Sequence, residues 1–304
     1  MTRKKKNLII IAGPTAVGKT DMCIKIAKKF NTSIISSDSR QFFVEMDIGT
    51  AKPSANELLE ADHHFINHRS ILEPYDVRSF ERDALKLLDK LFEKNDSVIM
   101  TGGSGLYIDA VCKGFDDIPA VDTEIREELN QLYQSAGIGR LKELLAEADP
   151  EYFEVVDRNN PHRLIRALEV FRGTGNPFSS YRKKSIAERP FSIIKIGLER
   201  DRAELYERIN QRMDQMIADG LFEEAMELFP LRHLNALQTV GYTEIFGHLE
   251  GQYDREEAIR LLKRNSRRYA KRQMTWFRRD EDFTWFHPSR INEIIDCINN
   301  QMTL

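Results

Sequence analysis

The feature that most constrains this chain is the segment GPTAVGKT at positions 13–20, which matches the phosphate-binding pattern G-x-x-x-x-G-K-[ST] in full. An apolar run at 8–12 precedes the segment and predicts a buried parallel strand. Apolar residues at helical spacing follow from 21 to 30, so the segment joins a strand to a helix. This context distinguishes a phosphate-binding loop from a chance glycine-rich turn. The sequence therefore predicts a P-loop α/β domain.

The residues of this loop have separate roles in binding a diphosphate. Consecutive backbone N–H groups and the positive end of the following helix attract the anion. Lys19 adds a point charge, and the hydroxyl of Thr20 can ligate a magnesium ion. The predicted diphosphate-binding residues are Gly13, Pro14, Thr15, Ala16, Val17, Gly18, Lys19 and Thr20. The pattern does not distinguish a nucleotide from another diphosphate, including one that departs as a leaving group.

Composition limits the class of protein. The chain has 304 residues, 41% hydrophobic and 31% charged, which is typical of a globular protein with room for a core and a smaller second unit. Cys23, Cys112 and Cys297 are widely separated, which argues against a disulfide framework or a cysteine zinc site and favours a reducing compartment. No stretch approaches the roughly 18 apolar residues of a membrane span. We therefore expect a cytoplasmic protein without membrane contact.

Polar side chains follow two further predicted strands. A short strand at 33–36 leads to Asp38, and a strand at 97–100 opens into a glycine-rich segment with Ser104. In a doubly wound parallel sheet, ligands bind outside the carboxyl ends of the strands, so both residues are predicted beside the P-loop. The glycines would let the backbone approach a ligand closely, although a tight strand-to-helix turn would also explain them.

The segment 117–190 has helical patterning without alternating strands, and a strand at 191–198 restores the α/β pattern. We therefore predict a helical insertion at 117–190 between two parts of the core, 1–116 and 191–304, the second of which ends in helices.

A net charge of −3 argues against nucleic-acid binding over the whole surface. Residues 255–280, however, contain ten lysines and arginines against three acidic residues, which indicates a local basic surface.

Two basic groups leave alternatives open. Arg208 and Arg212 lie four residues apart on a helix predicted at 201–218, where they could bind a diphosphate or pair with neighbouring glutamates. The helix predicted at 256–277 interleaves lysines and arginines with aromatic residues. This composition suits phosphate contacts and base stacking, but a solvated basic face would have the same composition.

Three histidines, His63, His64 and His68, lie close together in the sequence. Histidine is a common metal ligand, but this spacing places no obvious pair on one face of a helix. We therefore favour packing or polar contacts over a metal site.

Nine segments carry a resemblance that covers nearly the whole chain. They are GPTAVGKT at 13–20, SSDSRQ at 36–41, GTAKP at 49–53, HHFINH at 63–68, GGSGLY at 102–107, NPHRLIRALEV at 160–170, ERINQRMDQM at 207–216, TVGYTE at 239–244 and RRYAKRQMTWFRR at 267–279. Because these segments occur in the order typical of that family, the sequence resembles the tRNA dimethylallyltransferases, also called tRNA isopentenyltransferases. The first segment alone is shared with many nucleotide-binding proteins, whereas the set is highly specific.

The resemblance implies an activity. A dimethylallyl group would pass from dimethylallyl diphosphate to the exocyclic amine of the adenosine 3′ to the anticodon, in tRNAs reading codons that begin with U. Magnesium dependence and monomeric action are implied as well. The implied catalytic residues are Asp38 as general base, Ser104, and Arg212 at the departing diphosphate, with Arg208 beside it.

The resemblance also implies contacts with the tRNA anticodon stem-loop. The implied residues are Asp38, Ser39, Arg40, Gln41, Ser104, Arg126, His162, Arg163, Leu164, Ile165, Arg166, Gln238, Thr239, Val240, Gly241, Tyr242, Thr243, Lys271, Arg272, Gln273, Trp276 and Arg278. One departure is visible, because the family commonly has threonine where this chain has Ser104; the hydroxyl is kept and a methyl group is lost. The cysteine/histidine zinc finger of eukaryotic members is absent, which indicates a bacterial-type enzyme.

Three other functions fit parts of the sequence. A kinase would use ATP on the same loop, although the strand at 97–100 ends in TGGS rather than in the aspartate that such enzymes use for magnesium. A prenyltransferase acting on free adenylate would share the chemistry but would need neither the basic helix nor the insertion. An RNA-binding protein with an inactive phosphate loop is disfavoured by intact Lys19, Thr20 and Asp38.

Overall fold

A computed structural model of the protein describes residues 5–182 and 186–303. The strands are β1 (Asn7–Ala12), β2 (Ile34–Ser36), β3 (His63–His64), β4 (Ser97–Gly102), β5 (Ser192–Leu198) and β6 (Thr284–Phe286). The α-helices are α1 (Lys19–Phe30), α2 (Ala55–Glu60), α3 (Val77–Lys94), α4 (Gly105–Lys113), α5 (Thr123–Ala148), α6 (Pro150–Val155), α7 (Pro161–Thr174), α8 (Arg202–Ala218), α9 (Leu221–Leu228), α10 (Tyr242–Leu249), α11 (Arg255–Phe277) and α12 (Ile291–Met302). Short 3₁₀ helices lie at Ile48–Thr50, Phe178–Tyr181, Phe229–Leu231 and Asn235–Leu237.

The strands form one parallel sheet in the order β3-β2-β4-β1-β5-β6. The chain runs from β1 outward to β2, returns to β4 beside β1, and then crosses to β5 on the other side of β1. This reversal creates a crevice at the carboxyl end of β1, where such sheets bind ligands. The predicted fold class, a P-loop doubly wound α/β core with helical additions, is confirmed.

The two faces of the sheet are packed against separate hydrophobic clusters. On β1, Leu8 and Ile10 contribute to one cluster and Ile9 and Ile11 to the other, and all four side chains are fully buried. Helices α3 and α4 pack into the first cluster, whereas α1 and α12 pack into the second. A strand buried on both faces reads as a continuous apolar run, which is why β1 was recognisable in the sequence.

Element ends differ from the sequence predictions at several places. Helix α3 begins at Val77 rather than at 79, because the side chain of Asp76 caps it by accepting a hydrogen bond from the Ser79 amide at 2.8 Å. The short strands β3 and β6 were not predicted as strands, since two or three residues carry no readable periodicity. No helix among residues 5–182 and 186–303 is long and apolar enough to cross a membrane.

The structure divides into two compact units, one formed by Met1–Lys113 with Glu188–Leu304 and the other by Gly114–Ala187. The smaller unit contains α5, α6 and α7 and has its own hydrophobic core, which includes Leu129, Leu145 and Leu164. Asp149, which is 1% exposed, accepts hydrogen bonds from two separate parts of this unit. The role predicted for this helical unit, contact with tRNA, stays a prediction.

The buried carboxylate of Asp149 provides a test of the smaller unit. It accepts hydrogen bonds from the Tyr152 amide at 3.0 Å and from the Ser179 amide and hydroxyl, each at 2.7 Å. In Asp149→Ala these donors lose their partner, which should cost about 1–3 kcal/mol locally. We expect amide hydrogen exchange in 150–155 to become at least tenfold faster. Asp157→Ala, which removes an exposed carboxylate bonded to one amide, should leave exchange there unchanged; equal effects in the two variants would contradict this account.

Candidate active site

The P-loop follows β1 and leads into α1, and its first and sixth residues have backbone conformations that favour glycine. Gly13 has φ 155° and Gly18 has φ 109°. A Cβ atom on Gly13 would lie 2.6 Å from the carbonyl oxygen of Leu198 at the end of β5. The first glycine therefore allows the loop to pass directly over the neighbouring strand.

The side chain of Lys19 folds back over the P-loop. Its Nζ donates hydrogen bonds to the carbonyl oxygens of Gly13 at 3.0 Å and Pro14 at 2.8 Å. The pKa of Lys19 is lowered to about 8, chiefly by burial and also by the charge of Arg212, whereas the charge of Asp38 acts in the opposite direction. A partly desolvated ammonium group beside another cation is suited to binding an anion, because the anion would restore its electrostatic balance.

Two arginines hold the outer side of the loop. The Nε atom of Arg208 donates to the carbonyl of Ala16 at 2.9 Å, and that of Arg200 donates to the carbonyl of Val17 at 2.8 Å. The sequence suggested a diphosphate contact for Arg208. The geometry assigns its Nε to the loop backbone, although Arg208 also lines the central cavity. Arg200 was not predicted, since nothing in its sequence surroundings indicates a distant loop carbonyl as its partner.

Arg212 lies one helical turn after Arg208 on α8, and its Nη1 atom is 3.4 Å from the hydroxyl of Thr15. Burial lowers the pKa of Arg212, and Arg208 lowers it further, while Asp38 opposes the change. The sequence left open that both arginines pair with glutamates on the helix surface. Arg208 and Arg212 instead contact residues of the P-loop. Lys19, Arg208 and Arg212 thus form a cationic cluster around the P-loop.

Asp38 and Ser104 come from the loops after β2 and β4. The Asp38 carboxylate accepts a hydrogen bond from the Arg40 amide at 3.0 Å. The Ser104 hydroxyl accepts from the Ser39 amide at 3.2 Å and lies 3.2 Å from the Ser39 hydroxyl. Ser104 therefore links the two loops, and this link needs only the hydroxyl that serine shares with threonine.

A cavity of about 570 Å³ lies beside the P-loop. Its polar wall contains Lys19, Thr20, Asp38, Arg208 and Arg212, and its other lining residues include Ile209, Met213, Met216, Leu221, Val240 and Tyr269. Most of this second group was missed by sequence reasoning, because apolar residues on a helix give the same signal whether they line a cavity or a core. Tyr269 could have been noticed, since it lies four residues before Gln273 on the basic helix.

Another wall of the cavity is held in place by a carboxylate. Glu224 accepts hydrogen bonds from the amides of Asp47, Ile48 and Gly49 at 2.7–2.9 Å and from the Tyr242 hydroxyl at 2.6 Å. A Cβ atom on Gly49 would lie 2.6 Å from that hydroxyl oxygen. These contacts fix the segment at 49–52 that lines the cavity.

The residues predicted to contact tRNA fall into groups with different exposure. The exposed ones are His162, Arg163, Gln238, Lys271, Arg272 and Arg278. In the helical unit, Arg126 and Arg166 both pair with the buried carboxylate of Glu169, at 3.1 and 3.2 Å. The buried side chains are Leu164, Ile165, Tyr242 and Gln273, none more than 6% exposed, so each offers little surface for a contact with RNA. Of these four, Gln273 lines the cavity.

Of the three neighbouring histidines, His68 packs against aromatic rings, and His63 Nδ1 lies 2.7 Å from the carbonyl oxygen of Ala61. The His68 ring makes edge contacts with the rings of Phe42 and Phe65, at centroid distances of 5.3 and 4.9 Å. Burial lowers the pKa of His68 to about 4, so the ring is neutral at physiological pH. Within the described residues, no group of three or more His, Cys, Asp or Glu side chains is placed to hold a metal ion.

Comparisons with known proteins identify the family of this chain. The sequence model of the family described as IPP transferase matches residues 41–280, more than half of the chain. The chain belongs to the IPP transferase family. It is 54% identical over 296 residues to a tRNA dimethylallyltransferase of Christiangramia forsetii, covering 97% of this chain and 98% of the relative. A relative from Cytophaga hutchinsonii with the same name is 50% identical, covering 98% of each chain.

Solved structures support the same assignment. A tRNA isopentenylpyrophosphate transferase from Bacillus halodurans is 39% identical with a TM-score of 0.73, covering 98% of this chain and 97% of that one. A eukaryotic dimethylallyltransferase, captured acting on tRNA, is 26% identical with a TM-score of 0.69, covering 90% of this chain and 70% of that one. The family resemblance read from the sequence is thus confirmed.

The lowered pKa of Lys19 predicts a pH dependence for the binding of inorganic diphosphate, if the P-loop binds it as proposed below. A group with a pKa near 8 is charged below that pH and loses its charge above it. We expect the Kd of diphosphate, measured by calorimetry from pH 6.5 to 9.5, to rise by up to about tenfold per pH unit above pH 8. Lys19→Arg keeps its charge throughout this range, so its Kd should rise much less above pH 8. Because both proteins bind the same diphosphate, the comparison also corrects for ionisation of the diphosphate itself. The same rise in both proteins would show that Lys19 does not cause it.

Proposed function

We propose that this protein transfers the dimethylallyl group from dimethylallyl diphosphate to the exocyclic amine of the adenosine 3′ to the anticodon, in tRNAs reading codons that begin with U, and releases diphosphate. The observation that supports this function most strongly is that one cavity is lined both by the cations of the P-loop region and by the carboxylate of Asp38. The similarity to relatives named tRNA dimethylallyltransferase or tRNA isopentenylpyrophosphate transferase extends over nearly the whole chain.

The acceptor chemistry requires a base that acts late. The lone pair of an adenine exocyclic amine is delocalised into the ring, so the amine is a poor nucleophile and becomes acidic only as the new N–C bond forms. A carboxylate can remove the proton at that stage, and Asp38 lies at the cavity wall with its Oδ1 atom fixed by the Arg40 amide. We therefore assign Asp38 as the general base.

The donor chemistry requires stabilisation of the leaving group. Negative charge accumulates on the diphosphate as its bond to the allyl carbon breaks, and fixed cations lower the free energy of that transition state. Lys19 and Arg212 are the cations assigned to this role, together with the backbone amides of the P-loop and the positive end of α1. Arg208 contributes charge and also holds the Ala16 carbonyl.

The RNA side requires the target adenosine to leave its stacked position in the loop. Unstacking costs a few kcal/mol, which contacts elsewhere must offset. Exposed Lys271, Arg272 and Arg278 on and after α11 suit contacts with the RNA backbone. His162 and Arg163 are exposed in the helical unit and suit a second set of contacts.

The site offers oxygen ligands of the kind that magnesium prefers, since the hydroxyl of Thr20 and the carboxylate of Asp38 line the same cavity as the P-loop cations. Thr20 would hold the ion, which keeps most of its water ligands and neutralises diphosphate charge when bound. By the same family resemblance we propose that the enzyme acts as a monomer in the cytoplasm.

The direct test is transfer of radiolabel from dimethylallyl diphosphate to unmodified tRNA in the presence of magnesium, with AMP as a competing acceptor. We expect label in tRNA and none in AMP. Asp38→Asn removes the base and should lower kcat by about a hundredfold or more. Asp89→Asn makes the same change at an exposed position on α3 that does not line the cavity, and should leave kcat unchanged.

Other outcomes point to other functions. Label on AMP would identify an adenylate prenyltransferase. Consumption of ATP without RNA would identify a kinase. Good tRNA binding without any transfer would leave only an RNA-binding protein.

A further inference from the structure

The side chain of Gln273 joins two loops at the catalytic cavity. Its Oε1 atom accepts a hydrogen bond from the Thr15 amide in the P-loop at 2.9 Å. Its Nε2 atom donates to the carbonyl of Gly103, in the loop after β4, at 3.0 Å. The two partners are 258 and 170 residues away in the sequence, so this carboxamide brings distant segments together.

The packing around Gln273 is close. The residue is 6% exposed, and a Cβ atom on Gly103 would lie 2.1 Å from its Nε2 atom. Only a side chain with one acceptor and one donor at this length satisfies both the N–H of Thr15 and the carbonyl of Gly103. Each of these groups would otherwise be a partly buried polar atom without a partner.

The bridge connects the donor side of the cavity with the base. Gly103 precedes Ser104, whose hydroxyl bonds to the Ser39 amide next to Asp38. A continuous path of hydrogen bonds and single peptide units therefore runs from the P-loop through Gln273 to the loop that carries Asp38. Together with the pairing of β1, β4 and β2, this path connects the diphosphate site with the base.

We propose that Gln273 is a positioning residue, which fixes the P-loop for the diphosphate donor and sets its place relative to Asp38. The inference rests on the proposed function and differs from the role that the family resemblance implies, a direct contact with tRNA. The carboxamide is buried, and both its Oε1 and its Nε2 atoms already have partners within the protein.

The first test compares steady-state kinetics for both substrates. Gln273→Met keeps the length of the side chain and removes both hydrogen bonds, so we expect the KM for dimethylallyl diphosphate to rise by about tenfold or more. The KM for tRNA should stay within twofold of wild type. Arg272→Gln, on the exposed face of the same helix, should show the opposite pattern. Gln252→Met makes the matched change at an exposed glutamine that does not line the cavity, and should change neither KM.

The second test uses pH to restore the bridge. In Gln273→Glu the ionised carboxylate can still accept from Thr15 but cannot donate to Gly103, whereas the protonated acid can do both. The donor KM of this variant, relative to wild type, should therefore fall towards one as the pH is lowered from 8 to 5.5. The ratio for Gln273→Met should not change. This readout decides the question even if Gln273→Met fails to fold.

The outcomes separate the inference from the function on which it rests. Wild-type transfer with a donor KM unchanged in Gln273→Met and a raised tRNA KM would overturn the inference and favour an RNA contact. A ratio of donor KM between Gln273→Glu and wild type that does not change with pH would overturn it as well. Failure of the wild-type protein to modify tRNA would instead remove the proposed function.

Discussion

The crowding of positive charge around one loop is the constraint on which the rest of the site depends. Lys19, Arg208 and Arg212 surround the P-loop, and burial lowers the pKa of both Lys19 and Arg212. Bringing these cations together without a bound anion costs free energy, which the carboxylate of Asp38 and, at Arg212, that of Glu57 partly offset. An anion entering the cavity would relieve this repulsion, and an anion that gains charge during the reaction would relieve it further. In the proposed reaction, the arrangement would therefore stabilise a leaving diphosphate.

The fold keeps this charge cluster in place with hydrogen bonds from rigid elements. Helix α8 supplies Arg208 to the loop backbone, and the end of β5 supplies Arg200. Helix α11 reaches across the carboxyl ends of β1 and β4 through Gln273. The same helix carries exposed Lys271 and Arg272 on another face. Helix α11 therefore carries part of the proposed RNA-binding surface on one face and contacts the P-loop through Gln273 on another.

The sequence predicts the sheet core because β1, β4 and β5 are apolar runs bounded by glycine-rich or polar segments. It also predicts that Asp38 and the P-loop meet, since the carboxyl ends of parallel strands share one edge. It does not predict the partners of Arg200, Arg208 or Gln273, because a hydrogen bond to a distant backbone carbonyl leaves no local pattern. The same applies to Glu224, whose four donors come from two separate segments. Apolar cavity residues such as Met213 and Met216 give the periodicity of any core helix.

The measurement that tests the central claim most directly is the stoichiometry of a single turnover without ATP. Enzyme in excess over unmodified tRNA would be mixed with dimethylallyl diphosphate, and both released diphosphate and dimethylallyl-adenosine in the digested tRNA would be quantified. The account predicts equal amounts of the two products and no release of diphosphate when tRNA is omitted. Diphosphate release that does not depend on tRNA, or product that forms only when ATP is added and hydrolysed, would contradict it.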